Sequence, residues 1–293
     1  MAEVLVTGGN GQLGHALARH AWPAGWEPVA LDRVALDIAD PDQVARAVAE
    51  RRWSAVINAA AYTAVDRAES DAVAAWRVNA LGPAALAAAC EAAGIPLVHV
   101  STDYVFDGSN DRPWQVDDPV APLGVYGASK LGGEQAVRTA CRRHAIVRTS
   151  WVVSATASNF VRTMLRLAAE RDTVRVVADQ HGAPTAAADL AAALATVAVR
   201  LAENAPAGTF HFSNADATTW AAFARAIFAG STARGGPSAR VEPIATADYP
   251  TPARRPLNSR LDTSAITRAY GIAPRPWQDA LDDILDDLIG PLP

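Results

Sequence analysis

Tyr126 and Lys130 are four positions apart, a spacing that places both side chains on one face of a helix. A ketone that receives a hydride also needs a proton for the alkoxide that forms, and a tyrosine hydroxyl can donate it. The pKa of an unperturbed tyrosine is about 10, and a neighbouring ammonium group lowers it towards neutral pH. The pair therefore indicates a general acid for carbonyl reduction; the alternative is an exposed helical pair without a chemical role.

Hydroxyl and carboxyl side chains follow the predicted strand Pro96–Val100, in the sequence STD at residues 101–103. In doubly wound sheets, ligands bind beyond the carboxyl ends of the strands. A hydroxyl group at this point can donate a hydrogen bond to a substrate carbonyl and orient it beside Tyr126, although serine and threonine after a strand also form turns. We therefore expect Thr102, Tyr126 and Lys130 to be the catalytic residues.

A glycine-rich segment, TGGNGQLG at residues 7–14, lies between the predicted strand Ala2–Val6 and a predicted helix. Its glycines recur at Gly8, Gly11 and Gly14. This permits a tight turn, close approach of a pyrophosphate to the helix N-terminus, and close packing of the helix on the strand. A glycine triplet alone is weak evidence, but the strand–turn–helix context predicts a dinucleotide-binding site.

The end of the second predicted strand carries two residues with opposite implications for the cofactor. Asp32 can accept a hydrogen bond from the adenosine ribose 2′-hydroxyl, which favours NAD. Arg33 can bind a 2′-phosphate, which favours NADP. NADPH and NADH therefore both remain open as the cofactor. Asp37 and Ile38 lie where a loop can cover the adenine.

Strands and helices alternate along the first half of the chain, a pattern that is typical of βαβ units with a parallel sheet. The predicted strands are Ala2–Val6, Pro28–Leu31, Ala55–Ile57, Pro96–Val100, Ala145–Arg148 and Thr209–Phe212. The predicted helices are Gln12–Trp22, Pro41–Arg51, Val73–Ala93, Tyr126–Cys141, Asn159–Arg171, Ala187–Glu203, Thr219–Ala229 and Trp277–Ile289. Asp40 is expected to cap the second helix, and Gly94 to end the third. We expect a Rossmann-type, doubly wound α/β sheet in residues 1–150 and a smaller C-terminal substrate-binding lobe in residues 151–293, some segments of which return to the first domain.

Longer motifs extend over nearly the whole chain. They are Asn58–Glu69 (NAAAYTAVDRAE), Val100–Phe106 (VSTDYVF), Val125–Glu134 (VYGASKLGGE), Arg148–Val152 (RTSWV), Asn159–Leu167 (NFVRTMLRL), Asp179–Thr185 (DQHGAPT) and Tyr249–Leu261 (YPTPARRPLNSRL). With these motifs the chain resembles the extended short-chain dehydrogenase/reductase family and, within it, the dTDP-4-dehydrorhamnose reductases. The resemblance implies NAD(P)H-dependent reduction of the C4 ketone of dTDP-4-dehydro-6-deoxy-L-mannose to dTDP-L-rhamnose.

Two other functions stay open on the sequence alone. One is a 4-ketoreductase or synthase for another dTDP-6-deoxysugar, because product stereochemistry depends on the shape of the pocket. The other is a non-catalytic regulatory relative with the same fold, against which the presence of Thr102, Tyr126 and Lys130 argues.

The resemblance also implies roles for individual residues. Tyr126 would donate the proton, Lys130 would also hold the nicotinamide ribose, and Tyr104 and Trp151 would border the sugar. The cofactor site is expected to comprise Gly8, Asn10, Gly11, Gln12, Leu13, Gly14, Asp32, Arg33, Asp37, Ile38, Ala59, Ala60, Ala61, Tyr62, Thr63, Asn79, Val100, Tyr126 and Lys130. The substrate site is expected to comprise Thr102, Asp103, Tyr104, Trp151, Asn159, Gln180, Arg255, Asn258 and Arg260. Of these, Gln180 and the stretch Arg255–Arg260 would face the nucleotide part of the substrate.

The composition bounds the class of protein. A formal net charge of −5 argues against nucleic acid or a membrane surface as a partner. The two cysteines are expected to be reduced and structural, and no secretory signal or run of about 18 apolar residues is evident, so we expect a cytoplasmic protein. Part of the family is described as using Mg with acidic side chains at a dimer contact; the helix Gln12–Trp22 has no acidic residue, so we expect no metal. A homodimer remains open.

Overall fold

The structure is a computed structural model that describes residues 1–292. The strands are β1 (Ala2–Thr7), β2 (Trp26–Leu31), β3 (Trp53–Asn58), β4 (Leu97–Thr102), β5 (His144–Thr149), β6 (Val152–Val153), β7 (Thr173–Val177), β8 (His181–Gly182), β9 (Thr185–Ala186), β10 (Gly208–His211), β11 (Thr218–Thr219) and β12 (Arg240–Ile244). The α-helices are α1 (Gln12–Arg19), α2 (Pro41–Glu50), α3 (Val65–Ala68), α4 (Ala72–Trp76), α5 (Gly82–Ala93), α6 (Val125–Ala140), α7 (Phe160–Glu170), α8 (Ala187–Ala202), α9 (Trp220–Ala233), α10 (Ser264–Tyr270) and α11 (Trp277–Ile289). A π-helical turn spans Arg77–Leu81, and 3₁₀ turns span Asp103–Val105 and Thr246–Asp248.

The main sheet has six parallel strands in the order β10-β5-β4-β3-β1-β2. The order reverses between β1 and β3, and a doubly wound sheet opens a ligand crevice at such a point. Thr7 at the end of β1 is in register with Leu31 and Asn58, so these three strands end together. Thr102 at the end of β4 is likewise in register with Thr149 of β5. The predicted Rossmann-type α/β fold is thus confirmed.

Local sequence explains where several helices begin and end. The Asp40 side chain accepts hydrogen bonds from the amides of Asp42 and Gln43, which confirms it as the N-cap of α2. Gly94 ends α5 in the left-handed conformation, with φ of +68°.

The long helix predicted at Val73–Ala93 is interrupted, so that prediction is wrong in one detail. The π-helical turn lies between α4 and α5. Pro83 lacks the amide that would bond the Asn79 carbonyl in an uninterrupted α-helix, and the ladder of hydrogen bonds is re-spaced around it. Asn79 is fully buried at this turn, and its side chain is used for contacts with other segments.

One helical stretch, Ala72–Ala93, is long and apolar enough to cross a membrane by length and composition, with a mean hydropathy of 1.2 over an 18-residue window. The sequence alone did not reveal this stretch as a candidate. A core helix of a globular protein meets the same criterion, and Leu86, Ala87 and Cys90 of this stretch are buried in the core beside the main sheet.

The chain after residue 150 contributes to two hydrophobic cores. Helices α7, α9 and α11 enclose a separate core together with the parallel pair β7–β12. In contrast, α8 and α10 pack on the main sheet, to which β10 adds an edge strand. The sequence did not predict β7, β12 or α10.

Candidate active site

Tyr126 and Lys130 lie in the first two turns of α6, which packs directly against the turn that follows β4. A Cβ atom on Gly127 would lie 2.2 Å from the Tyr104 carbonyl oxygen, so only glycine permits this approach. The Thr102 side chain lies close enough to Tyr126 to lower the pKa of its hydroxyl group. The rings of Tyr104 and Tyr126 meet edge to face, with 5.5 Å between their centroids. The structure therefore brings the three predicted catalytic residues together.

The effect expected of Lys130 on Tyr126 is not found. The Lys130 Nζ atom donates to the Val100 carbonyl oxygen at 2.6 Å, and Lys130 is not among the groups that shift the tyrosine. Burial raises the pKa of Tyr126 to about 12. The Asp103 charge acts in the same direction, and the Thr102 side chain acts in the opposite direction. Tyr126 is thus held as a neutral phenol, the form that can donate a proton to an alkoxide.

Asp103 is a buried carboxyl group beside this pair. One of its oxygens accepts a hydrogen bond from the Thr102 hydroxyl at 2.9 Å, and the other has no hydrogen-bond partner among the described residues. Burial raises the pKa of Asp103 to about 6, although the Thr102 and Ser259 side chains act in the opposite direction. Ser259, in the segment near the C-terminus, therefore lies close to this carboxyl group at the end of β4.

The glycine-rich turn forms a cradle at the carboxyl ends of β1 and β3. Gly8 has a φ of +74°, and a Cβ atom at this position would lie 2.8 Å from the Ala60 Cα atom. A cavity of about 300 Å³ adjoins this turn. Its lining residues are Gly8, Asn10, Gly11, Arg33, Leu36, Asp37, Ile38, Ala59, Ala60, Ala61, Tyr62, Thr63 and Val78. The cavity, the bare backbone and the helix N-terminus of α1 together fit a dinucleotide.

Not every residue of the predicted cofactor set lines this cavity. The Leu13 side chain is buried in the core, and Gln12 donates to the Val152 carbonyl oxygen and accepts a hydrogen bond from Ser154. Val100 contributes the carbonyl oxygen that holds Lys130. Gln12 therefore joins the cofactor-binding turn to the C-terminal part of the chain.

Asn79 connects the cofactor loop to the catalytic helix. Its side chain accepts a hydrogen bond from the Tyr62 amide at 2.8 Å and donates to the Tyr62 carbonyl oxygen at 3.1 Å. It also donates to the Ser129 hydroxyl at 3.0 Å, and this hydroxyl donates to the Tyr126 carbonyl oxygen. The position of Tyr126 is thus fixed relative to the cofactor loop by an uninterrupted series of hydrogen bonds.

Replacement of Gly14 by alanine is expected to impair cofactor binding. A Cβ atom there would lie 2.2 Å from the Gly8 carbonyl oxygen, so the turn must move away from α1. Overpacking of this kind costs about 1–3 kcal/mol, and a loss of this size in binding free energy raises the Kd of NADPH by about 5- to 150-fold. Titration of the protein with NADPH, followed by protein fluorescence, measures this Kd. Ala18→Ser, on the exposed face of the same helix, serves as the matched control, and equal affinities for both variants would contradict the prediction.

Trp151 borders the region between the two cores. Its backbone has a φ of +48°, and its ring stacks on Trp220 with 3.6 Å between centroids. A Cβ atom on Gly182 would lie 2.6 Å from the Trp151 ring. The indole is therefore half-buried and fixed in one orientation by its neighbours.

The remaining residues of the predicted substrate set make mostly local contacts. Asn159 caps α7 and donates to the Ser154 carbonyl oxygen at 2.8 Å. Gln180 is buried and donates to the Thr246 hydroxyl. Asn258 donates to two carbonyl oxygens of residues 110–112, and its own carbonyl group accepts from Arg260. These contacts leave their role in substrate binding as a prediction.

Arg255 forms a long-range ion pair that the sequence did not predict. Its guanidinium donates to both carboxylate oxygens of Asp66, at 2.8 Å and 3.0 Å. Asp66 lies in α3, directly after the cofactor loop, and also accepts from the Ala253 amide. Glu69, three residues later, accepts from the Val125 amide at the start of α6. Both acidic residues belong to the motif NAAAYTAVDRAE, so the signal was present, but their partners are remote in sequence.

The groove between α1 and the C-terminal part of the chain does not fit a magnesium ion. His15 and Arg19 of α1 line it, together with Asp283 and Asp287 of α11. Magnesium prefers carboxylate and water oxygens, but α1 offers none, and Asp283 is paired with Arg275 at 2.7 Å. Within residues 1–292, no group of three or more histidine, cysteine or acidic side chains could hold a metal ion.

Comparison with known proteins agrees with the fold. A family model described as the RmlD substrate binding domain matches residues 1–289. A dTDP-4-dehydrorhamnose reductase of Streptomyces griseus is 46% identical over 98% of this chain and 94% of its own length, and that of Escherichia coli K12 is 41% identical over 98% of both. The solved structure of a dTDP-4-dehydrorhamnose reductase from Bacillus anthracis, in complex with NADP, is 36% identical, covers 97% of this chain and 99% of its own, and superposes with a TM-score of 0.90. The chain therefore belongs to the dTDP-4-dehydrorhamnose reductase family.

Proposed function

We propose that this protein reduces the C4 ketone of dTDP-4-dehydro-6-deoxy-L-mannose with NADPH or NADH and forms dTDP-L-rhamnose. The observation that carries this function is the packing of α6, with Tyr126 and Lys130 one helical turn apart, against the turn that follows Thr102 at the end of β4. The relatives from Escherichia coli and Streptomyces griseus, which match nearly the full chain, are named dTDP-4-dehydrorhamnose reductases, and the Bacillus anthracis protein of that name was solved with NADP.

The roles of the catalytic residues follow from their contacts. The Thr102 hydroxyl orients the substrate carbonyl oxygen next to Tyr126. Tyr126 donates its proton to that oxygen and is available for this step because burial keeps it neutral. Lys130, anchored at the Val100 carbonyl oxygen, holds the nicotinamide ribose and returns a proton to Tyr126. When bound, the reduced nicotinamide supplies the hydride, and the glycine-rich cradle and the Ala59–Thr63 loop hold the dinucleotide.

The C-terminal lobe is proposed to bind the sugar nucleotide. Trp151, held by Trp220, provides an apolar surface. It follows the end of β5, where Thr149 is in register with Thr102. The segment that contains Arg255 and Ser259 is joined to the cofactor side of the site by the ion pair of Arg255 and Asp66, and Ser259 lies close enough to Asp103 to lower its pKa. We propose that residues 1–150 bind the cofactor and that the chain after them binds mainly the substrate. This division does not follow the packing, because α8, β10 and α10 lie on the main sheet.

The cytoplasmic setting of the protein is also a proposal. Cys90 and Cys141 are both free and buried, and burial raises the pKa of each thiol. Such thiols are unreactive and are compatible with a reducing compartment.

Parallel assays with NADPH and NADH test the proposed function. The substrate is generated by coupled synthesis, and the absorbance of the reduced nicotinamide is followed. We expect oxidation that depends on the dTDP-4-keto-L-sugar. Binding of the cofactor without any sugar-dependent oxidation would contradict the proposal and would favour another dTDP-sugar or a non-catalytic relative.

Arg33 is expected to determine the preference between the two cofactors. Both oxygens of Asp32 are already engaged, one with the amides of Val34 and Ala35 and the other with Asn10. The Arg33 side chain is 80% exposed, with only a 3.5 Å contact to Asp37, and lines the cofactor cavity. A charged hydrogen bond to a phosphate contributes about 1.5–3 kcal/mol, so Arg33→Ala should raise the KM for NADPH by about tenfold or more.

The KM for NADH is the control for this variant, because NADH lacks the 2′-phosphate. Arg19→Ala, which removes a cation from the groove on the other side of α1, provides a second control. A rise of the same size in the KM for both cofactors would show that Arg33 does not recognise the phosphate.

A further inference from the structure

A buried carboxylate lies one helical turn beyond Lys130. Glu134 has no exposed surface, and its two oxygens accept four hydrogen bonds. The donors are the Ser101 hydroxyl at 2.6 Å, the Arg148 Nε and Nη2 atoms at 2.8 Å each, and the Arg138 Nη2 atom at 2.7 Å. Glu134 thereby ties α6 to β4 and β5 at positions beside the catalytic residues, since Ser101 directly precedes Thr102.

The other residues of this network do not line the cavities described above. The Arg148 guanidinium lies 5.0 Å from the centre of the Phe106 ring and donates to the Val116 carbonyl oxygen at 3.3 Å. His211 lies 3.4 Å from it and is neutral, because burial lowers the pKa of His211 to about 3. The network therefore does not bind substrate directly. A buried ion pair adds little net stability compared with apolar residues of similar volume, so a role in stability alone does not account for it.

We propose that Glu134 is a positioning residue, which fixes α6 against the carboxyl end of β4 and places a negative charge one helical turn from Lys130, on the same helix. The inference rests on the proposed function, because it gives Lys130 a part in the reaction. Its own basis is the set of four hydrogen bonds that join the helix of Tyr126 and Lys130 to the strand of Thr102.

The electrostatics of Lys130 agree with this role. Burial lowers the pKa of Lys130 to about 8, and the Glu134 charge opposes that shift. His99 on β4 also interacts with Lys130, and burial together with the Lys130 charge lowers the pKa of His99 well below its usual value, so that His99 stays neutral. Because protonated Lys130 is the active form, activity should fall as the pH rises through about 8. Without the Glu134 charge this fall should begin at lower pH.

The pH dependence of kcat/KM in Glu134→Gln tests the proposal. An opposite charge at short range commonly shifts a pKa by about one unit or more, so we expect the basic limb to move down by about one pH unit. Glu134→Asp keeps the charge but shortens the side chain, and it should leave the limb in place while kcat falls. A merely structural role would lower the thermal midpoint without moving the limb.

The single variant leaves Arg148 buried without its carboxylate and is at risk of misfolding. The double variant Glu134→Gln/Arg148→Met removes both charges, and circular dichroism checks that it folds. A basic limb at the wild-type pH in either folded variant would overturn the proposal.

Affinity for NADPH, measured between pH 6 and about 9 by fluorescence titration, gives a readout that does not depend on turnover. Lys130 is proposed to hold the nicotinamide ribose, so the affinity should weaken along the same limb and move with it in the Glu134 variants. If the wild-type protein bound NADPH in this way but did not reduce the sugar, the proposed function would fail while the role of Glu134 would stand. Affinity that is independent of pH in the wild type and in both variants would overturn the role of Glu134.

Discussion

Replacement of Tyr126 by phenylalanine is expected to lower kcat by about 10²- to 10⁴-fold, the usual contribution of a positioned general acid. The change removes only the hydroxyl group near Thr102, while the ring can keep its edge-to-face contact with Tyr104. The Kd of NADPH should therefore change little. Steady-state assays with the sugar nucleotide and a separate binding titration distinguish the two effects.

Tyr270→Phe is the matched control for this variant. Tyr270 is also buried, and burial raises its pKa to about 12, as for Tyr126. Its hydroxyl donates to the Pro206 carbonyl oxygen on the far side of the main sheet. The control should keep near wild-type turnover. Near wild-type turnover in the Tyr126 variant as well would remove the tyrosine from the mechanism.

Replacement of Arg148 by methionine is expected to lower the free energy of unfolding by about 3–5 kcal/mol, because it leaves a buried carboxylate with too little compensation. The Arg148 side chain is 2% exposed and that of Glu134 is fully buried. Burial alone would raise the pKa of Glu134, but the hydrogen bonds and charge of Arg148 outweigh it and hold that pKa below its usual value. Urea denaturation measures the loss.

The exposed pair of Arg142 and Glu91 offers a comparison. Arg142 is 91% exposed, so Arg142→Met should cost only about 0–1 kcal/mol. In the wild type, Glu134 stays charged down to its lowered pKa, whereas without Arg148 it takes up a proton at higher pH. The difference in the free energy of unfolding between Arg148→Met and wild type should therefore shrink as the pH falls towards the lowered pKa of Glu134. Equal losses in both variants at neutral pH would show that the buried pair contributes no more than a surface one.

The parts of the site that follow from short-range spacing could be predicted from the sequence. The i, i+4 pair of Tyr126 and Lys130, the hydroxyl of Thr102 after a strand, and the glycines after β1 each depend on one local element. The alternation of strands and helices then brings the carboxyl ends of the strands to one edge. Physical rules for parallel sheets supply that step.

The parts that depend on distant partners could not be predicted. Asp66 and Arg255 are 189 positions apart, and only the folded chain shows that they pair. The prediction that Lys130 lowers the pKa of Tyr126 was also wrong. Burial, which a sequence does not reveal, raises this pKa instead. Strand β12 contains Pro243, which disfavours a strand assignment, and it is tolerated here in a two-stranded pair.

The most direct test of the central claim is to follow the hydride. The protein is incubated with dTDP-4-dehydro-6-deoxy-L-mannose and NADPH that carries deuterium at the nicotinamide C4 position, and the product is analysed by NMR and mass spectrometry. The site described here predicts dTDP-L-rhamnose with deuterium at the sugar C4 atom. A product of the other configuration at C4, or unchanged substrate in the presence of bound cofactor, would contradict it.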